Sequence, residues 1–144
     1  MSLDSLVRIG RLKPHPPNQS EIDDLLAAAR RNLQDAGVDS ISVENRFDAA
    51  YKCLMQSALA ALLANGYRPD TKVPGHHQTV VQTLPKTIGL DPARLPVLDT
   101  LRNKRNLSDY TGNPIDTASL RSCIAEAQWL IGEVEAWIHA HPLS

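Results

Sequence analysis

A polar run from Leu101 to Tyr110 holds most of the side chains in this sequence that suit phosphate chemistry. Its members are Arg102, Asn103, Lys104, Arg105, Asn106, Asp109 and Tyr110. Guanidinium groups beside amide and phenol donors can hold a phosphodiester and stabilise the charge that develops on it during cleavage. The competing structural interpretation is a helix C-terminus, where the helix dipole favours cations and charge runs are usually solvated. A helix end does not require the amides and the phenol, so the run is a candidate phosphate site.

Two adjacent histidines, His76 and His77, are a second candidate for this chemistry. They lie at the start of a predicted helix, where neighbouring side chains point in different directions and do not easily share one metal ion. No Cys or carboxylate completes a ligand set at the usual spacing, so we predict no metal site. One interpretation is structural: the histidines cap the helix or form a hydrogen bond between helices. The alternative is that the fold brings one imidazole to the region of Arg105.

The third candidate is a polar cluster of Arg46, Asp48 and Tyr51 at the start of the most apolar helix. Asp48 stands four residues before Lys52, a spacing that predicts a stabilising ion pair on one helix face. One interpretation is that Asp48 only stabilises its own helix through this pair. If Asp48 instead faces Arg102 or Arg105 across the bundle, it would fix the orientation of the guanidinium group.

The composition bounds the remaining possibilities. The 144 residues suit one domain, and a formal charge of −1 predicts no general attraction to nucleic acid or anionic membrane. Cys53 and Cys123 lie within apolar helical patterns, which predicts reduced core thiols and a soluble, cytoplasmic protein. We find no pattern for a membrane span, a secretory signal, a phosphate loop, a zinc motif or a nucleophile elbow. No cofactor is therefore predicted.

The elements that must position these residues are helices. Apolar spacing, caps and breakers predict helices over about residues 3–12, 20–36, 42–65 and 75–88, another from Asp91-Pro92 into the polar run, and a last one ending near Ile138. Strand patterns of useful length are absent. The predicted fold is all-α, an antiparallel bundle of four main helices with short additional helices. Residues 1–19 are predicted to be a short helix and a Pro-rich connector, and 20–144 the bundle domain.

Taken together, these motifs resemble a known family. The arrangement Arg102-x-x-Arg105-Asn106-x-x-Asp109-Tyr110 resembles the signature of HEPN domains. The blocks 45–51, 66–69 and 75–77 also resemble small bacterial HEPN-like proteins, and the resemblance covers about residues 40–138. It implies a four-helix bundle, frequent homodimerisation, and RNA binding or cleavage in toxin–antitoxin or defence modules. The partner implied there is a cognate antitoxin or a nucleotidyltransferase-like protein.

One departure from the family pattern concerns the catalytic histidine. Active HEPN ribonucleases carry a motif in which an Arg is followed, after four to six variable residues, by a His. In the resembling segment of this sequence, Tyr110 stands at the place of that His. A phenol with a pKa near ~10 is a poorer proton shuttle than an imidazole near ~6.5, so weak or lost metal-independent cleavage is expected.

The residue roles follow from the resemblance and the chemistry of the side chains. Arg105 would act as phosphate electrophile, Asn106 as positioning donor, and Tyr110 or a distant histidine as weak acid or base. The substrate-binding candidates are Arg102, Lys104, Asp109, Asp48, His76 and His77. The alternative function is a non-enzymatic protein–protein interaction module built on a helical dimer.

Overall fold

Four long helices make up most of the chain. The computed structural model describes residues 1–143. The long helices are α2 (Gln19–Ala36), α3 (Val43–Ala64), α6 (Leu95–Thr111) and α7 (Thr117–Ala140), and the short ones are α1 (Leu3–Arg8), α4 (His76–Gln82) and α5 (Leu84–Thr87). A 3-10 turn over Pro92–Arg94 leads into α6. The predicted all-α bundle of four main helices with short additional helices is confirmed.

The central element is α3, which packs against α2, α7, α6 and the short helices α4 and α5. The N-terminus of α3 is capped by Ser42, whose hydroxyl oxygen accepts a hydrogen bond from the backbone N–H of Asn45. After the C-terminus of the helix, Gly66 adopts a left-handed conformation with φ of 90°. Eleven α3 residues are buried, among them Phe47, Ala58 and Leu62. The helix is apolar on most sides because it is surrounded, which is the pattern expected of a core helix.

The N-terminal segment is tied to the bundle by a small β-ribbon that the sequence did not predict. Strand β1 (Leu12–Pro14) pairs antiparallel with β2 (Tyr67–Pro69), and Leu12 is 1% exposed in the core. Three-residue strands are too short to show an alternating pattern. The ribbon brings the N-terminus beside the connection between α3 and α4.

The predicted helix over 75–88 is divided at Thr83 into α4 and α5. Pro85 lies in the first turn of α5, where its missing amide hydrogen costs no helical hydrogen bond. Pro85 cannot donate the backbone hydrogen bond that a continuous helix would need there, which explains why the single predicted helix is divided. It leaves α4 as a short helix that packs against both α3 and α6.

The polar run 101–110 forms the C-terminal part of α6 and stops one residue before the helix ends. α6 continues to Thr111 and ends at Gly112, whose φ is 70°. Its last turn contains no basic residue. Because the dipole effect is confined to the last turn, it does not explain Arg102, Lys104 and Arg105.

Within residues 1–143, no helix has the length and hydrophobicity that crossing a bilayer requires.

The two cysteines, Cys53 and Cys123, are free thiols, and both are completely buried. Burial raises the pKa of Cys53 to about 11 and that of Cys123 to about 12.

Candidate functional site

The centre of the candidate site is the Arg105 side chain, which reaches from α6 to α3. Its Nε donates a hydrogen bond to Asp48 Oδ1 over 2.9 Å. Asp48 lies in the second turn of α3 and also has Lys52 Nζ at 3.7 Å from its Oδ2. Both expected relations of Asp48, the pair with Lys52 and the contact across the bundle, are therefore present together.

The charge of Arg105 is stabilised although the side chain is only 23% exposed. Burial opposes the charge, but the hydrogen bond and the charge of Asp48, with the charge of Asp109, outweigh it and raise the pKa of Arg105. Asp109 Oδ2 lies 3.8 Å from the same Nε. Within residues 1–143, neither Nη group of Arg105 has a hydrogen-bond partner. The guanidinium is thus held at one edge and retains its terminal donors.

Tyr51 lies beneath this guanidinium. The Arg105 Cζ atom is 5.0 Å from the centre of the Tyr51 ring, a distance at which a cation–π attraction operates. The hydroxyl group is buried and has no hydrogen-bond partner in the described part of the chain. Burial raises the pKa of Tyr51 to about 12, although Arg105 and Arg102 act in the opposite direction. Tyr51 therefore remains a neutral phenol and supports Arg105 mainly through its ring.

Arg102 lies next to Arg105 on the same side of α6. Residues three apart are separated by about 60° around a helix. The Nε and one Nη of Arg102 donate to Asp99 Oδ1 over 3.1 and 2.9 Å. Arg102 and Asp99 also line a groove of about 370 Å³ between α4 and the start of α6. Asp99 is a site residue that sequence reasoning missed, although its i,i+3 spacing from Arg102 was a usable signal.

Lys104 and Tyr110 lie apart from Arg105. Lys104 Nζ is 3.8 Å from Asp116 Oδ1, at the start of α7. Tyr110 is 89% exposed. A spacing of five residues turns a helix by about 140° beyond one full turn, so Tyr110 and Arg105 lie on different faces of α6. The structure does not bring together the pair that would replace the family's Arg and His.

Asn106 is half-buried, follows Arg105 directly, and makes no side-chain hydrogen bond within residues 1–143. Adjacent helical residues point about 100° apart, so its amide borders the face occupied by Arg105. It is free to donate to a bound ligand. Asp109 projects about 40° from Arg105 and shares that face more closely.

The two histidines begin α4, with ring centres 4.4 Å apart in an edge-on arrangement. Burial, the neighbouring His76 and the charge of Arg105 lower the pKa of His77. No cluster of three or more metal-ligating His, Cys, Asp or Glu side chains occurs among residues 1–143.

Arg46 has a structural role. Its Nε donates to the carbonyl oxygen of Ala36 over 2.9 Å, and one Nη lies 3.5 Å from Asp39. This interaction satisfies the carboxyl-terminal end of α2, where carbonyl groups otherwise lack partners. Arg46 therefore fixes the connection between α2 and α3.

The comparisons with known proteins assign no family to this chain. No protein-family model matches it, and no curated protein matches it significantly.

Proposed function

We propose that this chain is a HEPN-like protein that binds RNA or nucleotide phosphate through Arg105, assisted by Arg102 and Asn106. One observation carries the proposal: Asp48 engages the Nε edge of Arg105 and leaves its two Nη groups without protein partners. A guanidinium oriented by a carboxylate on one edge can present parallel donors to two phosphate oxygens.

Neighbouring carboxylates determine how strong such binding can be. Asp109 is 51% exposed and 3.8 Å from Arg105, and an ion pair of this kind contributes only ~0–1 kcal/mol. A phosphate that accepts two charge-assisted hydrogen bonds can replace it. Asp48 and Asp99 remain near the bound phosphate and repel it. We therefore expect modest affinity that is greatest at low ionic strength.

The proposed activity is binding with weak or lost cleavage. General acid–base catalysis requires a proton-transferring group within hydrogen-bond reach of the reacting atoms. Tyr110 projects from another face of α6, which argues against its role as the acid or base. His77 is the better candidate for any residual proton transfer, because it lies at the start of α4, which packs against α6. The resemblance suggests a toxin–antitoxin or defence module as the setting.

The test is a binding and cleavage assay on labelled cellular RNA at low salt without added metal. It compares the parent protein with Arg105→Ala and with the control Arg31→Ala. Arg31 is exposed on α2, makes no ion pair within residues 1–143, and gives the same charge change. Loss of a charge-assisted contact worth ~1.5–3 kcal/mol predicts that Arg105→Ala weakens binding by roughly tenfold to a hundredfold.

Each outcome has a defined meaning. Arginine-dependent binding with intact RNA supports a phosphate-binding protein without cleavage. Arginine-dependent fragments would establish a ribonuclease, and His77→Gln would then test whether that imidazole transfers the proton. Full binding by Arg105→Ala would refute the proposal.

A second candidate, a protein-interaction module, is favoured by the opposite face of α6. Leu107 is 52% exposed and Tyr110 is 89% exposed, and their spacing places them about 60° apart. Contiguous exposed apolar surface, of which this pair would form a part, is typical of interaction surfaces. A homodimer formed through this face would leave Arg105 uncovered. Light scattering of Leu107→Glu and Tyr110→Ser should then show monomers, whereas unchanged oligomeric mass would exclude this face.

A further inference from the structure

Two grooves meet along α4 and lead to Arg102. The first has a volume of about 550 Å³ and lies between the N-terminal segment and α4–α5. The second, of about 370 Å³, ends at Arg102. Gln82 and Pro92 line both grooves, so the two adjoin there. We call the joined grooves the α4 track. It ends at Arg102, which lies three residues before Arg105 on α6, so the two guanidinium groups are neighbours along that helix.

The charge along the α4 track favours an anion. Arg11 and Lys86 line the first groove, and no acidic residue lines it. Neither cation has an ion-pair partner within residues 1–143. The only carboxylate lining the second groove is Asp99, which already accepts hydrogen bonds from Arg102. Two cations without ion-pair partners, Arg11 and Lys86, therefore lie in the groove that is farther from Arg105.

The walls of the track combine apolar surface with amide groups. Leu6, Ile9 and Pro85 contribute apolar surface to the first groove. Gln78 and Gln82 line the second groove, and their side chains make no hydrogen bonds within the described part of the chain. Flat apolar base faces, polar base edges and spaced phosphates are exposed together in single-stranded RNA. In duplex RNA the base faces are stacked and inaccessible.

We propose that the α4 track binds single-stranded RNA that extends from the Arg105 site, with Arg11 and Lys86 contacting backbone phosphates at the distal end. This inference rests on the proposed function, because Arg105 anchors the strand. It adds the class of RNA, its path over the surface, and two residues outside the polar run of α6.

The experiment measures binding of labelled single-stranded RNA of two lengths, a dinucleotide and an octanucleotide of the same base composition. Fluorescence anisotropy at low salt compares the parent protein with Arg11→Ala/Lys86→Ala and with Arg105→Ala. The control is Arg31→Ala/Arg121→Ala, which removes two exposed cations from α2 and α7. Circular dichroism establishes that each variant is folded, which the exposure of all four residues favours.

We expect the parent and control proteins to bind the octanucleotide more tightly than the dinucleotide. Arg11→Ala/Lys86→Ala should bind the octanucleotide about tenfold less tightly, since two exposed phosphate contacts are lost. Its salt dependence, the slope of log K against log salt concentration, should decrease in magnitude by about 1.4, from about 0.7 for each phosphate.

The outcomes separate the two proposals. If Arg105→Ala loses both RNAs while Arg11→Ala/Lys86→Ala matches the control, the phosphate site stands and the track is refuted. Full binding of both RNAs by Arg105→Ala would refute the phosphate site itself. Equal affinity for a duplex of the same length would also overturn the track, because a duplex hides the base faces that its walls require.

Discussion

The ion pair between Asp48 and Arg105 supplies a measurable coupling between α3 and α6. The Nε–Oδ1 distance is 2.9 Å, and the side chains of Asp48 and Arg105 are 34% and 23% exposed. Fully exposed pairs typically contribute ~0.2–1 kcal/mol, and breaking fully buried pairs costs ~3–5 kcal/mol. This pair is intermediate in burial and contains a well-formed hydrogen bond. We therefore expect a coupling free energy of about 1–1.5 kcal/mol.

A double-mutant cycle isolates that value. Asp48→Ala, Arg105→Ala and the double variant are unfolded in urea, and the coupling is the departure of the double variant from additivity. Each single variant also changes other contacts, because Asp48 pairs with Lys52 and Arg105 lies over the Tyr51 ring. The cycle cancels those contributions, provided that they do not depend on the partner.

The pair between Lys104 and Asp116 serves as the internal control. Its atoms are 3.8 Å apart, and its side chains are 44% and 62% exposed, so its coupling should be below about 0.5 kcal/mol. Asp116→Ala alone should cost ~1 kcal/mol because Asp116 caps α7, but that loss cancels in the cycle. Equal couplings in the two cycles, or none between Asp48 and Arg105, would refute the view that Asp48 orients the guanidinium.

Three further predictions concern titration and burial. Proton NMR of His77 should give a pKa below the ordinary histidine value, because burial and the charges of His76 and Arg105 disfavour the imidazolium. The variant Arg105→Ala should raise the pKa of His77. An unchanged pKa in that variant would show that the guanidinium charge does not act on the ring. Burial raises the pKa of Cys53 to about 11 and that of Cys123 to about 12 in the folded protein. In the unfolded chain both thiols lose their protons above about pH 8.5, whereas the folded protein still keeps them. Urea unfolding should therefore give a free energy of unfolding that falls as the pH rises toward 12, with a shallower fall in Cys123→Ala; an equal slope in the two proteins would contradict this assignment. Tyr51→Phe removes a buried hydroxyl without a partner, so thermal melting should show unchanged stability or a gain of up to ~1 kcal/mol, and a loss of that size would indicate that the hydroxyl is paired.

The sequence was sufficient for the long helices because their apolar spacing repeats over many turns. The predicted segment 20–36 corresponds to α2 (Gln19–Ala36), and the predicted 42–65 corresponds to α3 (Val43–Ala64). The break at Pro85 also follows from local chemistry. The three-residue ribbon did not follow, because it depends on pairing between segments more than fifty residues apart.

The candidate site was predictable in its residue types and only partly in its geometry. The polar run identified Arg102 and Arg105 from composition and spacing. Their surroundings depend on contacts between helices, which a helical period cannot specify. The helical period shows that Arg105 and Tyr110, five residues apart on α6, face apart, although the resemblance pairs them by their places in the motif.

What the sequence determined by itself was the set of local structures, since caps, breakers and apolar periodicity act between residues close in the chain. The tertiary structure alone decided that Asp48 meets Arg105, fifty-seven residues away. It also decided that Arg11 and Lys86 line one groove. Such contacts depend on how α3, α4 and α6 pack around a shared core, and many arrangements of the same helices satisfy the same local pattern.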